Sequence, residues 1–356
     1  MAYTAIDDPE AHFQIKLYTG NGTNSQAQTF SGAVDMQPDL VWIKQRSGTS
    51  GNAVTDVLRP VGDYLATDNV NAEQSGTNYM QSLDSNGFSP GLASDFGAST
   101  DTYVAWCWKG GGTGVTNTVG TTTTTVSANT DAGFSGVTYT GTGINGSTNG
   151  HGLGAVPEWI INKKRNGTSP WQTYVEFLGN AYELYLDRTD GTSSATTAWN
   201  TTTPASTVWT VGTDTNNNVA SNMVSYVWAP KKGYSKFGQY IGNGNSDGTF
   251  VYTGFTPAWV LIKQTNTGGE EYYIYDNMRL GYNEKNYRLQ ASATAAEYAE
   301  VNIDLLCNGF KALTSSARFN GSGSTYGYWA FAEAPLVNSN GVPSNARASN
   351  TTGGTT

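Results

Sequence analysis

Three stretches decide the fold: Pro38-Asp-Leu-Val-Trp-Ile-Lys44, Pro157-Glu-Trp-Ile-Ile-Asn-Lys163 and Pro257-Ala-Trp-Val-Leu-Ile-Lys263. Each opens on a proline and reaches a lysine six residues later. Side chains of a strand alternate between its two faces. Here Leu40 and Trp42 oppose Val41 and Ile43, Trp159 and Ile161 oppose Ile160 and Asn162, and Trp259 and Leu261 oppose Val260 and Ile262. A strand that is apolar on both faces belongs in the middle of a packed structure. Proline at the start forfeits no ladder hydrogen bond. The lysine reads as the point where the strand leaves the core.

Working outward, a glycine phrase precedes each stretch: Tyr18-Thr-Gly-Asn-Gly22, Tyr139-Thr-Gly-Thr-Gly143 and Tyr240-Ile-Gly-Asn-Gly244. Its tyrosine lies 20, 18 and 17 residues before the proline. An aromatic phrase closes each stretch: Thr102-Tyr-Val-Ala-Trp-Cys-Trp108, Val224-Ser-Tyr-Val-Trp-Ala229 and Thr325-Tyr-Gly-Tyr-Trp-Ala-Phe331. Three ordered phrases recurring three times indicate an internal repeat. Turn signals such as Asp84-Ser-Asn-Gly87, Asp190-Gly191, Asn245-Ser-Asp-Gly248 and Asn308-Gly309 break the chain into short strands. The expected fold is all-β, with three tandem β-sandwich units of jelly-roll or lectin-like type over 1–108, 131–232 and 233–335. Residues 109–130, rich in glycine and threonine, read as a linker or extended arm, and 336–356 as a polar tail. Only Ala291 to Leu306 has helical composition, and its apolar residues hold no 3.6-residue face.

Composition agrees. With 43 glycines, 48 threonines, 12% aromatic and only 13% charged residues, the chain resembles neither a helical bundle nor a disordered polymer. The net charge of −9 and the scarcity of basic clusters (Lys163-Lys164-Arg165 and Lys231-Lys232) argue against a nucleic-acid partner. No window approaches 18 apolar residues, so no membrane span is expected. Met1 to Asp8 lacks the features of a signal peptide, and folding in a reducing cytosol is expected. Cys107 and Cys307, 200 residues apart, are expected to be buried free thiols.

The residues offer little catalytic chemistry. His12, expected to be exposed, and His151, expected to pack in a loop at a strand entrance, are the only histidines for a triad or zinc site. Glu270 with Glu271, and Asp187 with Asp190, are adjacent carboxylates with nothing in sequence to raise a pKa. The Asp/Asn/Gly loops lack EF-hand spacing, and the glycine phrases lack the Lys-Ser or Lys-Thr of a phosphate loop. No catalytic residue, metal ligand or cofactor is assigned, and the chain reads as not an enzyme. Trp171, Trp199 and Trp209 stand in polar surroundings and are the candidate ligand-binding residues, since exposed indoles stack on sugar rings. The competing reading makes them covers of small satellite cores.

Several phrases together resemble a family of tailed-phage virion proteins of marine and cyanophage type. They are Met1-Ala-Tyr-Thr-Ala-Ile-Asp-Asp-Pro9 with Phe13-Gln14, Gln37-Pro-Asp-Leu-Val-Trp-Ile-Lys44, Tyr103-Val-Ala-Trp-Cys-Trp108, His151-Gly-Leu-Gly154, Gly233-Tyr-Ser-Lys-Phe-Gly238, Thr253-Gly-Phe255 and Cys307-Asn-Gly-Phe310. Members are usually labelled tail fibre or virion structural protein. The resemblance spans roughly 1–335 and implies a virion location after assembly in the host cytoplasm, without supplying catalytic residues. It implies a tail fibre or adhesin contributing to recognition of a host-surface glycan or outer-membrane component. The alternative is a capsid decoration or other particle-stabilising protein. Expected partners are other virion proteins and further copies of the chain, a trimer above all. The 109–130 arm or the Met1 to Gln14 segment is expected to pack on a neighbouring virion chain.

Overall fold

The computed structural model of the chain describes residues 3–279 and 287–343, and the protein is all-β. Its largest sheets contain six, eight and six strands, all antiparallel. The first runs in the order Phe13–Thr19, Thr102–Trp108, Leu40–Gln45, Asn52–Asp56, Asp63–Ala66, Gln74–Ser75. The third follows the same path through Ser235–Ile241, Thr325–Pro335, Phe255–Gln264, Tyr273–Asp276, Tyr287–Gln290 and Tyr298–Ala299. The second does so through Phe134–Thr140, Asn222–Trp228, Trp159–Lys164, Gln172–Val175, Tyr182–Tyr185 and Ser193–Ser194, with two further strands on its leading edge. In each, the strand of the closing phrase pairs with the proline-to-lysine strand at the centre, in matching register: Trp42 faces Trp106, Ile161 faces Tyr226, and Leu261 faces Trp329.

The doubly apolar strands are explained by what lies on either side. One face of each large sheet is covered by a small sheet. Val41, Ile43, Tyr103 and Cys107 meet Phe30, Met80 and Phe88, while Val137, Ile160 and Val227 meet Trp209 and Val211. The opposite faces of all three large sheets converge on one cluster. Trp108 touches both Trp228 and Trp259, at ring-centroid distances of 6.0 and 5.8 Å, and Trp159 stacks on Trp228 at 4.2 Å and meets Trp329 at 5.4 Å. The three units expected in tandem therefore do not each keep a core to themselves: tryptophans from the inner faces of all three large sheets meet in the largest one.

The glycine phrases are fixed by close backbone approach. A Cβ on Gly20, Gly141 or Gly242 would sit 2.2, 2.1 or 2.3 Å from the carbonyl oxygen of Ala98, Val219 or Gly321. Two residues on, Gly22, Gly143 and Gly244 adopt φ of +69°, +70° and +71°, which glycine alone tolerates cheaply. The tyrosine opening each phrase is buried, and its hydroxyl donates to a main-chain carbonyl: Tyr18 to Phe96 at 2.5 Å, Tyr139 to Asn217 at 2.8 Å and Tyr240 to Phe319 at 2.7 Å.

Other expectations are corrected. The 109–130 segment is no free arm. Val115–Asn117 and Thr124–Asn129 extend the second large sheet, the latter pairing along the whole of Phe134–Thr140. Its threonines suit a pleated edge, and Val126 is buried in the adjoining core. The N-terminal segment also packs on its own chain, with Ile6 and Phe13 in the central core; Met1 and Ala2 lie outside the described residues. Of the tail, Ser339 binds Asp7, and everything from 344 onward lies outside the described residues. Cys107 is buried and Cys307 exposed, both as free thiols. His12 is half-buried, with Nδ1 3.2 Å from Asn129 Nδ2, and burial lowers its pKa.

The lysines that end the central strands do not leave the core. Lys44, Lys163 and Lys263 are fully buried. Each ammonium donates to a carbonyl of its own segment and to one from the neighbouring segment. Lys44 reaches Ser50 (2.7 Å) and Thr294 (3.0 Å), Lys163 reaches Ser169 and Val70 (2.9 Å), and Lys263 reaches Glu270 and Thr189 (2.9 Å). First clasps third, second clasps first, and third clasps second. The chain closes into a ring.

Candidate functional site

The three tryptophans expected to be exposed are buried at 1% exposure each. Trp171 lies where the first and second segments meet: its Nε1 donates to the Ala66 carbonyl at 2.7 Å, and the Lys163 ammonium sits 5.9 Å from its ring. Trp199 packs edge-on against Tyr174 at 5.6 Å. Trp209 lies between Tyr139 at 5.9 Å and His151 at 6.4 Å. Their sequence neighbours are polar, but packing from other strands covers them, so none presents an indole to solvent.

The carboxylates of interest serve the fold. Asp187 accepts from the Trp171 amide at 2.7 Å, and burial raises its pKa. Glu270 accepts from the Tyr273 hydroxyl at 2.9 Å, and Glu271 from the Ser292 hydroxyl. Asp190 is exposed beside Arg188. His151 is buried, with Nε2 3.1 Å from the Ala205 carbonyl, and burial lowers its pKa. Among the described residues, no group of three or more His, Cys, Asp or Glu could hold a metal. A cleft of about 470 Å³ beside the 109–130 segment is walled by Gly111, Val115, Thr116, Asn117, Val126 and Gly152 among others, and has no charged or aromatic wall.

Aromatic surface appears elsewhere, on the third segment. The strand Phe250–Tyr252 pairs with Gly309–Ala312 at the edge of a three-stranded sheet. Val251 points inward, while Phe250 and Tyr252 are 45% and 48% exposed. Alternation puts the two rings on one side, roughly 7 Å apart along the strand. Tyr3 completes the patch. Its hydroxyl donates to the Gly254 carbonyl at 2.6 Å, and its pKa is pushed up to about 12 by burial and by a hydrogen bond with Tyr252. Gly254 holds φ +87°, a conformation that favours glycine, and a Cβ there would also displace the Tyr3 hydroxyl, 2.8 Å away.

Cations frame the patch. Lys232 Nζ lies 4.6 Å from the Tyr3 ring centre, and Lys236 Nζ lies 5.4 Å from that of Tyr252 while donating to the Tyr252 carbonyl at 2.7 Å. Lys311, opposite Phe250, pairs with Asp247. In the first segment the matching strand is Gln28–Thr29, where Thr29 pairs with Gly87 as Tyr252 pairs with Gly309. That register sets Ala27 opposite the place of Phe250, so the first segment has no such aromatic pair. Sequence reasoning missed this site because it looked for tryptophan in polar loops. The detectable signal was Phe-Val-Tyr, aromatic on alternate positions of a short edge strand.

Fold and surface together define an all-β protein whose three large sheets close around one aromatic core and leave an aromatic edge strand outside. Residues 8–335 match the model of the domain of unknown function DUF7483, and the chain belongs to that family. Comparison with the curated proteins and with the solved structures found no match.

Proposed function

We propose that the protein is a bacteriophage virion component of the tail-fibre or adhesin type, contributing to host attachment by binding a cell-surface glycan along Phe250–Tyr252. The observation that carries this reading is the pair of rings exposed on one side of an edge strand and backed by Tyr3. Aromatic faces stack on the apolar faces of sugar rings, and their spacing suits neighbouring units of a chain. The lysines beside the rings favour a glycan with acidic groups. The resemblance of the repeated phrases to virion proteins supports the location, with other virion proteins and further copies of the chain as partners.

The test is binding of purified host-surface polysaccharide, with a glycan array as the wider screen. Removing both rings (Phe250→Ala with Tyr252→Ala) should weaken binding about 5- to 160-fold, from about 0.5–1.5 kcal/mol per aromatic contact. The unfolding midpoint should stay near that of the parent protein. Unchanged binding by a folded double variant would reject the site.

A particle-stabilising role as a capsid decoration protein is the second reading, favoured by the closed ring of clasping lysines. Density for the chain at the capsid surface, rather than at the distal tail, would decide for it.

A further inference from the structure

Three seams join the segments, and they are not alike. At the first–second seam, Arg59 is fully buried and binds Asp56 at 2.6 Å, Glu73 at 3.0 Å and the Tyr226 hydroxyl at 3.1 Å. Tyr226 in turn donates to Asp56 at 2.6 Å, and Glu73 grips Arg165 through both carboxylate oxygens. The third–first seam repeats this chemistry. Arg279 binds Asp276 at 2.7 Å and Glu297 at 3.1 Å, Trp106 Nε1 donates to Asp276 at 2.9 Å, and Glu297 grips Arg46.

The second–third seam has lost every charged member of that set. Strand register puts Val175 where the others have Asp56 and Asp276, and Leu178 where they have Arg59 and Arg279. Trp329 takes the place of Tyr226 and Trp106, and its Nε1 is buried without an acceptor. Thr265 replaces Arg46 and Arg165, and Thr192 replaces Glu73 and Glu297. What spans this seam is aromatic packing, of Phe177 and Trp159 on Trp329 at 5.9 and 5.4 Å and of Trp159 on Phe237 at 5.7 Å, with bonds to main-chain carbonyls: the Lys263 ammonium and the Gly269 amide to Thr189, and Thr192 through both its amide and its hydroxyl to Thr265.

We infer that the closed body opens at the second–third seam, parting at the Lys263 end. Across the other two seams run a two-oxygen Arg–Glu pair (Arg165 on Glu73, Arg46 on Glu297) and a ring donor to a buried carboxylate (Tyr226 to Asp56, Trp106 to Asp276), so parting either one breaks an ion pair and takes a donor from a buried charge. Here, among the described residues, separation breaks no ion pair: at the Lys263 end it uncovers aromatic side chains, an ammonium and backbone groups that water can satisfy. The connection from Ala229 to Tyr234 crosses the same seam at the opposite end of the central strands, so it acts as the hinge. The opening gives the ring one direction of movement and would present Phe177 and Trp329 to whatever the protein assembles with.

Hydrogen exchange on the full chain tests this directly. The amides of Glu73, Thr192 and Glu297 occupy matching places and donate to Arg165, Thr265 and Arg46 respectively. After correction for intrinsic rates, Thr192 should exchange at least ~10-fold faster than the other two, as local opening does relative to a clamped element. Installing the missing pair (Thr192→Glu with Thr265→Arg) should slow exchange at 192 and leave 73 and 297 unchanged. The converse transplant, Arg46→Thr with Glu297→Thr, keeps the test open if the first variant misfolds, and should speed exchange at 297. Equal protection at the three amides of the parent protein would overturn the inference, as would a folded converse variant with unaltered exchange at 297.

Discussion

The Lys44 ammonium donates to the Thr294 carbonyl at 3.0 Å, joining residues 250 positions apart. Lys163 and Lys263 make the equivalent reach to Val70 and Thr189. A lysine that ends a central strand thus does work normally left to loops: it satisfies main-chain acceptors of two segments at once. The third-to-first clasp closes the ring, because no chain connection links those segments directly.

Replacing any one of these lysines by methionine keeps most of the volume and removes the donor. Lys44→Met takes the donor from the Ser50 and Thr294 carbonyls, whereas Val70 and Thr189 still accept from the Ser169 and Gly269 amides when Lys163 or Lys263 is replaced; an unsatisfied buried acceptor costs about 1–3 kcal/mol. Lys44→Met should lower stability by about 2–6 kcal/mol, and Lys163→Met and Lys263→Met by about 1–3 kcal/mol each. Urea denaturation followed by tryptophan fluorescence measures this, and losses below about 0.5 kcal/mol, as for an ordinary surface lysine, would contradict the latch.

Glycine substitutions separate close approach from backbone conformation. Gly20→Ala, Gly141→Ala and Gly242→Ala each force a Cβ to within 2.3 Å of a carbonyl oxygen. Each should destabilise by about 3 kcal/mol or more, as a clash in a packed region does. Gly323→Ala serves as the control. It has φ +73° but open space around it, so only the left-handed conformation is strained, at about 1–2 kcal/mol. Losses at Gly20, Gly141 and Gly242 no larger than the loss at Gly323 would show that close backbone approach is not what fixes these positions.

Trp171 provides a third comparison. Its burial and its bond to Ala66 make Trp171→Ala a core truncation, with an expected loss of about 3–5 kcal/mol. The same loss is expected for Trp159→Ala and Trp259→Ala, whose rings lie in the central cluster. A stable Trp171→Ala protein with weakened glycan binding would restore this residue as a ligand contact.

Much of the architecture was legible because the decisive phrases are local. The unbroken apolar run from Leu40 to Ile43 reveals a strand covered on both faces, and Gly20 with Gly22 reveals a constrained turn. What covers the second face is not local. Trp108 meets Trp228 and Trp259 from distant strands, and nothing near any of them in sequence announces a shared core. The same holds for the candidate site. Trp199 sits among Ala, Asn and Thr in sequence yet is enclosed by Tyr174, whereas Phe250 resembles any strand phenylalanine until its edge position is known. Lys44 misleads for a related reason: a lysine ending a strand normally reaches water, and only the neighbouring segment's carbonyl changes that.

The same lysines give stability a defined response to alkaline pH. Burial lowers Lys44, Lys163 and Lys263 to about 8, from an ordinary value of 10.5. Between those values the unfolded chain holds more protons than the folded one, so stability rises with pH across the window and is lost as pH falls through 8. The tyrosines act in the opposite sense. Burial pushes Tyr103 and Tyr174 up to about 12, and Tyr18, Tyr226, Tyr240 and Tyr272 well above 10. Their stabilisation is complete below 10 and disappears as pH rises through the folded values, because the unfolded phenols ionise first. The denaturation midpoint should therefore rise from about pH 7.5 to a maximum at about 9.5–10 and then fall steeply. Lys163→Met should flatten the rising limb without moving the falling one. A midpoint that declines steadily from pH 7.5 upward, in both the parent and the variant, would show that the buried amines stay charged and that the lysines contribute nothing to the profile.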